Sequence, residues 1–554
     1  MLSVQPPQTY SMWTRDGVRL DADVYFPNRS LETFPVLLMR QPYGRAIAST
    51  IVYAHPRWYA AHGYIVVIQD VRGRGTSEGE FDLFRHADGE DTVKWAAQLP
   101  SSDGQVGMYG FSYQGMTQLH AAQAKPSALK TIAPAMTGYH LYEDWATENG
   151  AFCFQLGLVW ALQLAAETAR IKGDVASFQK LNKASKNLPL HDSHPAQPDV
   201  LVGVESFFHD WVKAAEGGDY WQRLTPQLSD VDLPMLHMGG WFDPYLRGDI
   251  RLYQEMASRS QYAHHLWVGP WAHIPWSRQV GAVDFGVAAI SPIDRLQIQW
   301  FDAILKGRSE SDAKRTEPDV SLFEMGRNRW RKLTDWPDHE RCDWISFGLQ
   351  SEGLSHIRED SGVLSQTLTQ PLTTDIIVHD PWNPAPALGG HSAIPAGSFE
   401  RSAVDARGDV LTYTSEPLSD ELRVVGVPEV DVVIAVSTPC YDICAILSRI
   451  DSQGHVFNLT QGYRSVDKTA SIQLSDSLLS VPLHPTCFSL ASGECLRLSI
   501  SAACFPAYAV NPGTGQPLSE RRLIDNQIIT LTLTVGSGSG SWLKLPVTAA
   551  RVFA

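Results

Sequence analysis

A chain of 554 residues is too long for one domain, and roughly two to four are expected. Hydrophobic residues make up 44% and charged residues 19%, which excludes a disordered chain. The formal net charge of -15, with no basic stripe to neutralise phosphates, excludes nucleic acid as the expected partner.

The seven cysteines are scattered and form no C-x-x-C, so neither a disulfide framework nor a zinc site is expected. Free core thiols in a reducing compartment are the simpler reading. The stretch Met1 to Pro7 lacks a basic region followed by an apolar one, and no apolar run is long enough to span a bilayer. A cytoplasmic protein without a membrane partner is expected.

Residues 10–30 alternate polar and apolar around Asp16-Gly17, a hairpin pattern. Residues 36–39 read as a buried strand that ends in the loop Arg40-Gln41-Pro42-Tyr43-Gly44. A helical stretch at 58–62 precedes a second buried strand, 65–68. The glycine-rich loop Asp70 to Gly79 follows. Its Gly73, Gly75 and Gly79 lack G-x-G-x-x-G spacing, and the residues after it do not make a convincing helix, so a dinucleotide fingerprint is rejected. A helix at 92–98 leads into a strand at 106–109.

Next comes Gly110-Phe111-Ser112-Tyr113-Gln114-Gly115, then a helix-prone run, 116–124. Strand, sharp turn and helix make a nucleophile elbow, with Ser112 at its apex and glycines that let strand and helix approach. The usual pattern is G-x-S-x-G, and here the second glycine falls one place late. Alone, the motif reads equally as a serine helix cap.

From 139 the texture turns helical, with runs at 152–171 and 175–184, and a helical cap inserted in the sheet is predicted over 139–228. The sheet resumes at 235–238 before Gly240-Trp241-Phe242-Asp243-Pro244-Tyr245. A strand at 266–268 precedes Gly269-Pro270-Trp271-Ala272-His273. Buried strands alternating with helices predict a parallel α/β sheet built from 1–138 and 229–341. Beyond 342, short alternating runs such as 429–436, 494–501 and 529–535 predict a β-sandwich or jelly-roll domain through 554.

Ser112, Asp243 and His273 each lie just past an apolar strand, in the chain order of α/β-hydrolases. In a parallel sheet such ends share one edge. They supply a nucleophile, an acid that orients the base, and the base. Asp249 is the fallback acid, placed less well inside a helix.

Arg40-Gln41-Pro42-Tyr43, Val67 to Gly73, Gly104 to Gly115, Gly240 to Asp243 and Val268 to His273 resemble the CocE/NonD hydrolases. That family includes bacterial cocaine esterase, α-amino-acid ester hydrolases and, more distantly, X-Pro dipeptidyl-peptidases. Its G-x-S-Y-x-G pattern suits the late Gly115. Asp380-Pro381, Leu388-Gly389-Gly390 and Phe505-Pro506 look like its jelly-roll domain. The resemblance implies an α/β-hydrolase sheet, a helical cap and a C-terminal jelly roll, with Ser112 as nucleophile, Asp243 as acid and His273 as base. It also implies an oxyanion hole from the Tyr43 hydroxyl and the backbone N–H of Tyr113.

The same resemblance places Trp145, Trp160 and Tyr245 against the substrate. Cap packing explains the two tryptophans equally well. The carboxylates that hold a substrate ammonium in α-amino-acid ester hydrolases are replaced here by Tyr245 and Leu246, which favours a bulky, uncharged acyl group. Glu143, Asp144 and Glu148 either hold an amine or form a solvated face, and the pattern favours the face. The expectation is a serine esterase acting on a small-molecule ester or amide, with no metal or cofactor. Aminoacyl ester or β-lactam acylase activity, X-Pro peptidase activity, and a binding protein working through its jelly roll are the alternatives. A homodimer is a family-based expectation.

Overall fold

The computed structural model describes residues 1–29, 32–46, 50–307, 319–358, 360–467 and 477–547. Strands β1 (Gln8–Trp13) and β2 (Arg19–Tyr25) form the antiparallel pair expected around Asp16-Gly17. Four more strands follow: β3 (Phe34–Gln41), β4 (Ile65–Asp70), β5 (Ser102–Phe111) and β6 (Leu129–Ala135). Helices α1 (Pro56–Ala61), α2 (His86–Ala96) and α3 (Tyr113–Gln123) connect them. Every residue of β3 and β4 is buried. Layers cover both faces of the sheet, so these strands read as unbroken apolar runs rather than alternating ones.

After β6 the chain leaves the sheet. A single π-helical turn, Leu141–Ala146, leads to a short hairpin of β7 (Thr147–Glu148) and β8 (Ala151–Phe152). Helices α4 (Phe154–Ile171), α5 (Val175–Lys186), α6 (Phe207–Lys213) and α7 (Asp219–Leu224) follow and form the cap. The chain returns through β9 (Met235–Phe242), α8 (Leu246–Arg259) and β10 (His264–Ala272). The small ribbon β11 (Gln279–Val280) and β12 (Val283–Asp284) precedes α9 (Ile293–Leu305), β13 (Asp319–Glu324) and β14 (Arg329–Leu333). The sheet order is β1-β2-β4-β3-β5-β6-β9-β10-β13-β14. From β4 through β13 its neighbours run parallel.

The remaining strands, β15 (Asp343–Gln350) to β27 (Trp542–Val547), make a second sheet system of 13 strands, mostly antiparallel. Here the predicted alternation holds. In the strand Glu429–Val436 every second residue is buried, as expected when one face meets the core. The architecture is an α/β-hydrolase sheet with a helical cap and a C-terminal β-sandwich of the jelly-roll kind.

This β region is fastened to the rest by backbone bonds. Ser465 N–H donates to Asn149 O at 3.1 Å, and Gln155 N–H to Pro506 O at 3.0 Å, so both the cap hairpin and α4 rest on it. The loop Asp70 to Gly79 is likewise structural. Ser77 Oγ donates to Asp70 O at 2.8 Å, and Arg72 pairs with Asp88 at 2.8 Å. No described helix is long and apolar enough to cross a membrane.

Candidate active site

The elbow is built tightly. Ser112 has φ 58° and ψ -126°, a left-handed backbone that a serine adopts only when its surroundings impose it. Its N–H donates to Ala135 O at 2.9 Å, and its carbonyl accepts from Thr137 Oγ1 at 2.7 Å. Gly115 serves the turn by its size. A Cβ there would lie 2.6 Å from the Thr137 Cβ, so the helix could not approach the loop after β6. Helix α3 starts at Tyr113, earlier than the sequence indicated, directly after the serine. The Tyr113 amide is therefore one of the open donors at a helix N-terminus, and it makes no hydrogen bond among the described residues.

Ser112, Asp243 and His273 each follow the last residue of a strand, Phe111, Phe242 and Ala272. The Asp243 carboxylate is fully buried. Its Oδ2 lies 2.5 Å from His273 Nδ1, and its Oδ1 accepts the Tyr245 N–H at 2.9 Å. That bond fixes the imidazole tautomer with its proton on Nδ1, leaving Nε2 as the free base. The His273 ring packs between Phe111 and Tyr245, with centroids 5.4 and 5.2 Å away. Ser112 Oγ makes no hydrogen bond among the described residues, but it lines the same cavity as His273. Catalytic hydrogen bonds often tighten only once substrate is bound.

That cavity has a volume of about 760 Å³ and lies between the sheet edge, α4 and the β region. Tyr43, Trp145, Trp160 and Tyr245 all line it. The Trp145 ring stacks on Tyr245 at 4.6 Å and tilts against Trp160 at 5.2 Å. Its indole N–H is spent on Thr137 O, so it shows the cavity an apolar face. Tyr43 Oη accepts from Trp160 Nε1 at 3.1 Å and donates to no described residue, which leaves its own proton available. Burial of the phenol pushes Tyr43 up to about 12, against the weaker pull of the Trp160 N–H, so the group stays protonated. The Tyr113 side chain points elsewhere. Its hydroxyl donates to Leu83 O and its ring stacks on Phe84.

Two acids differ from the expectation. Asp144 and Glu148 are not on a solvated face; each is 2% exposed. Asp144 accepts the N–H groups of Tyr139 and His140, and Glu148 accepts from His391 and Tyr508. Glu143 is exposed and pairs with Arg251 at 2.7 Å. None of the three lines the cavity. The fallback acid Asp249 accepts the N–H groups of Thr137 and Gly138 and so ties down the loop after β6. Burial, then the nearby Asp243 charge, pushes its carboxyl well above the usual range. His391 and the segment 393–396 also line the cavity, and these were missed. The Leu388-Gly389-Gly390 motif just before them was the available signal. Among the described residues no group of three His, Cys, Asp or Glu side chains could hold a metal ion.

Comparison with known proteins adds to this geometry. Residues 16–275 match the model of the X-Pro dipeptidyl-peptidase (S15 family), and residues 312–534 match the X-Pro dipeptidyl-peptidase C-terminal non-catalytic domain. The cocaine esterase of Rhodococcus sp. (strain MB1 Bresler) is 29% identical over 562 residues, which is 96% of this chain and 97% of that protein. Over nearly its whole length the chain is similar to serine hydrolases of the CocE/NonD kind. Among solved structures, an aminopeptidase from a marine sediment Thaumarchaeota archaeon superposes with a TM-score of 0.80 at 21% identity, covering 98% of this chain and 96% of that one. An α-amino acid ester hydrolase gives 0.75 at 21% identity, covering 98% and 97%. At that identity these two likenesses speak to the fold alone.

Proposed function

We propose that this serine hydrolase cleaves small carboxylic esters with a bulky, uncharged acyl group. Ser112 is the nucleophile, His273 the base and Asp243 the acid that orients it. His273 Nε2 takes the Ser112 proton as Oγ attacks the ester carbonyl. The Tyr43 hydroxyl and the Tyr113 N–H receive the oxyanion. The alcohol leaves with the proton from Nε2, and water, deprotonated by the same nitrogen, releases the acid and restores Ser112. Trp145, Trp160 and Tyr245 pack the acyl group.

The observation that carries this reading is the cavity wall. It is lined by tryptophan, tyrosine and aliphatic side chains and, among the described residues, by no Asp, Glu, Lys or Arg. An aminopeptidase or α-amino acid acylase needs a carboxylate for the substrate ammonium, and the nearby candidates Asp144 and Glu148 are committed elsewhere. A panel of p-nitrophenyl esters against aminoacyl and X-Pro anilides tests it. The expected result is turnover of the esters, with neutral aromatic acyl groups favoured. Preference for the anilides would overturn the ester reading.

We extend the proposal to a cytoplasmic location, supported by seven cysteines of which none is in a disulfide. A homodimer through the C-terminal β region rests on the family resemblance, and light scattering on the purified protein tests it.

A further inference from the structure

A second imidazole–carboxylate pair stands at the cavity wall, with His391 lining the cavity and Glu148 buried behind it. His391 Nε2 lies 2.7 Å from Glu148 Oε2, and both side chains are 2% exposed. The same carboxylate oxygen accepts the Tyr508 hydroxyl at 2.5 Å and lies 2.6 Å from Arg247 Nη1. The partners come from the cap hairpin, from α8 and from two loops of the β region. Burial works against a charge on Glu148, but Arg247 and then His391 outweigh it and hold its carboxyl well below the usual range. Glu148 is therefore an anion that can only accept, and His391 must carry a proton on Nε2.

The other ring nitrogen, Nδ1, makes no hydrogen bond among the described residues and is not among the sealed-off polar atoms. His391 lines the cavity, and with Nε2 held by Glu148, Nδ1 is the ring nitrogen left to meet a ligand there. His484 stacks flat on the far side of the ring, 3.8 Å between centroids at 10°, and fixes its plane. A buried ionic cluster of this kind adds little net stability over an apolar packing of the same volume. Here it orients one polar atom in a wall that is otherwise largely apolar.

We propose that His391 is a substrate-binding residue whose Nδ1 takes a hydroxyl group carried by the ester away from its scissile carbonyl. A hydroxyl suits the position in either protonation state: it donates to the neutral ring and accepts from the charged one. The preferred substrates are then hydroxylated esters, and the β region, whose family model is described as non-catalytic, sets that preference. This inference rests on the esterase reading above.

The test uses the full chain and paired substrates. One series is p-nitrophenyl esters of straight-chain acids from butanoate to decanoate, each with and without a terminal hydroxyl. The other is benzoate esters of the matching alkanols and alkanediols. The ratio of kcat/KM within each pair is read for the wild type, His391→Phe and His391→Gln. In the wild type at least one pair should favour the hydroxylated member by about tenfold. The ratio should fall to near one in His391→Phe and recover in part in His391→Gln, whose amide can still reach Glu148 and the substrate.

Damage to the fold would lower both members of a pair together and leave the ratio unchanged. A wild type with no hydroxyl preference in either series would overturn the inference. So would a preference that survives in His391→Phe. If the wild type hydrolyses none of the plain esters, the esterase reading itself fails, and this one fails with it.

Discussion

Replacing Tyr43 with phenylalanine isolates one donor of the proposed oxyanion hole. The substitution keeps the ring that packs against Tyr113, 6.4 Å between centroids, and deletes only the hydroxyl. In the proposed mechanism two donors serve the oxyanion, this phenol and the Tyr113 N–H, so the amide remains. Loss of one such donor costs a factor of ~10²–10³ in kcat, equivalent to about 2.7–4 kcal/mol of transition-state stabilisation. The Trp160 indole N–H also loses its acceptor. Trp160 is half-buried, so the stability cost is roughly 1 kcal/mol, too small to explain the kinetic loss.

Steady-state hydrolysis of p-nitrophenyl butanoate, with thermal melts as a control, should show kcat reduced by about 10²-fold or more and KM within about threefold. A phenol shifted up to about 12 keeps its proton below that value. Wild-type kcat should therefore not fall between about pH 8 and about pH 10 through this group, where an ordinary tyrosine would begin to ionise. A loss of less than about fivefold, or a rise in KM at unchanged kcat, would refute the assignment, because the latter marks uniform binding rather than transition-state stabilisation.

Two further substitutions test the surrounding structure. Asp243→Asn should lower kcat by about 10⁴ with little change in melting temperature, since the amide no longer holds the His273 tautomer; a loss below tenfold in the same ester assay would point to another orienting acid. Glu148→Gln breaks a buried charge cluster and should cost about 3–5 kcal/mol in denaturant unfolding at neutral pH. The Glu148 carboxyl is held below its unfolded value of about 4.3. The wild-type advantage is therefore complete above that pH and should shrink as the pH falls through the folded value; a gap that widens in acid would contradict the reading.

Much of the fold was legible because local pattern and burial agree. The stretches 36–39, 65–68 and 235–238 read as buried strands, and β3, β4 and β9 contain them with every residue buried. The alternation at 429–436 likewise marks a one-sided strand, while that at 529–535 holds in burial only up to Leu533, beyond which Thr534 and Val535 are both buried. Helix α2 was read late, at 92–98, because His86-Ala-Asp-Gly is a poor helix opening by propensity. Tertiary contact supplies the missing reason. Gly89 lets α2 lie close on α3, where a Cβ would meet the Ala121 Cβ at 3.1 Å, and Asp88 is held by Arg72.

The candidate site was legible where residues follow strand ends, since position alone puts Ser112, Asp243 and His273 on one edge. It was not legible at Asp144 and Glu148. Acids in a short turn look solvated in sequence, and what buries Glu148 is Arg247, His391 and Tyr508, the last of them 360 residues away. The contribution of the 391–396 segment to the cavity is hidden for the same reason.

The most direct measurement is mass spectrometry of the protein after treatment with a fluorophosphonate, comparing the wild type with His273→Ala and Ser112→Ala. The account predicts a single adduct on the peptide carrying Ser112, much slower labelling without His273, and none without Ser112. Ester hydrolysis that persists in Ser112→Ala, or an adduct on a different residue of the wild type, would contradict it.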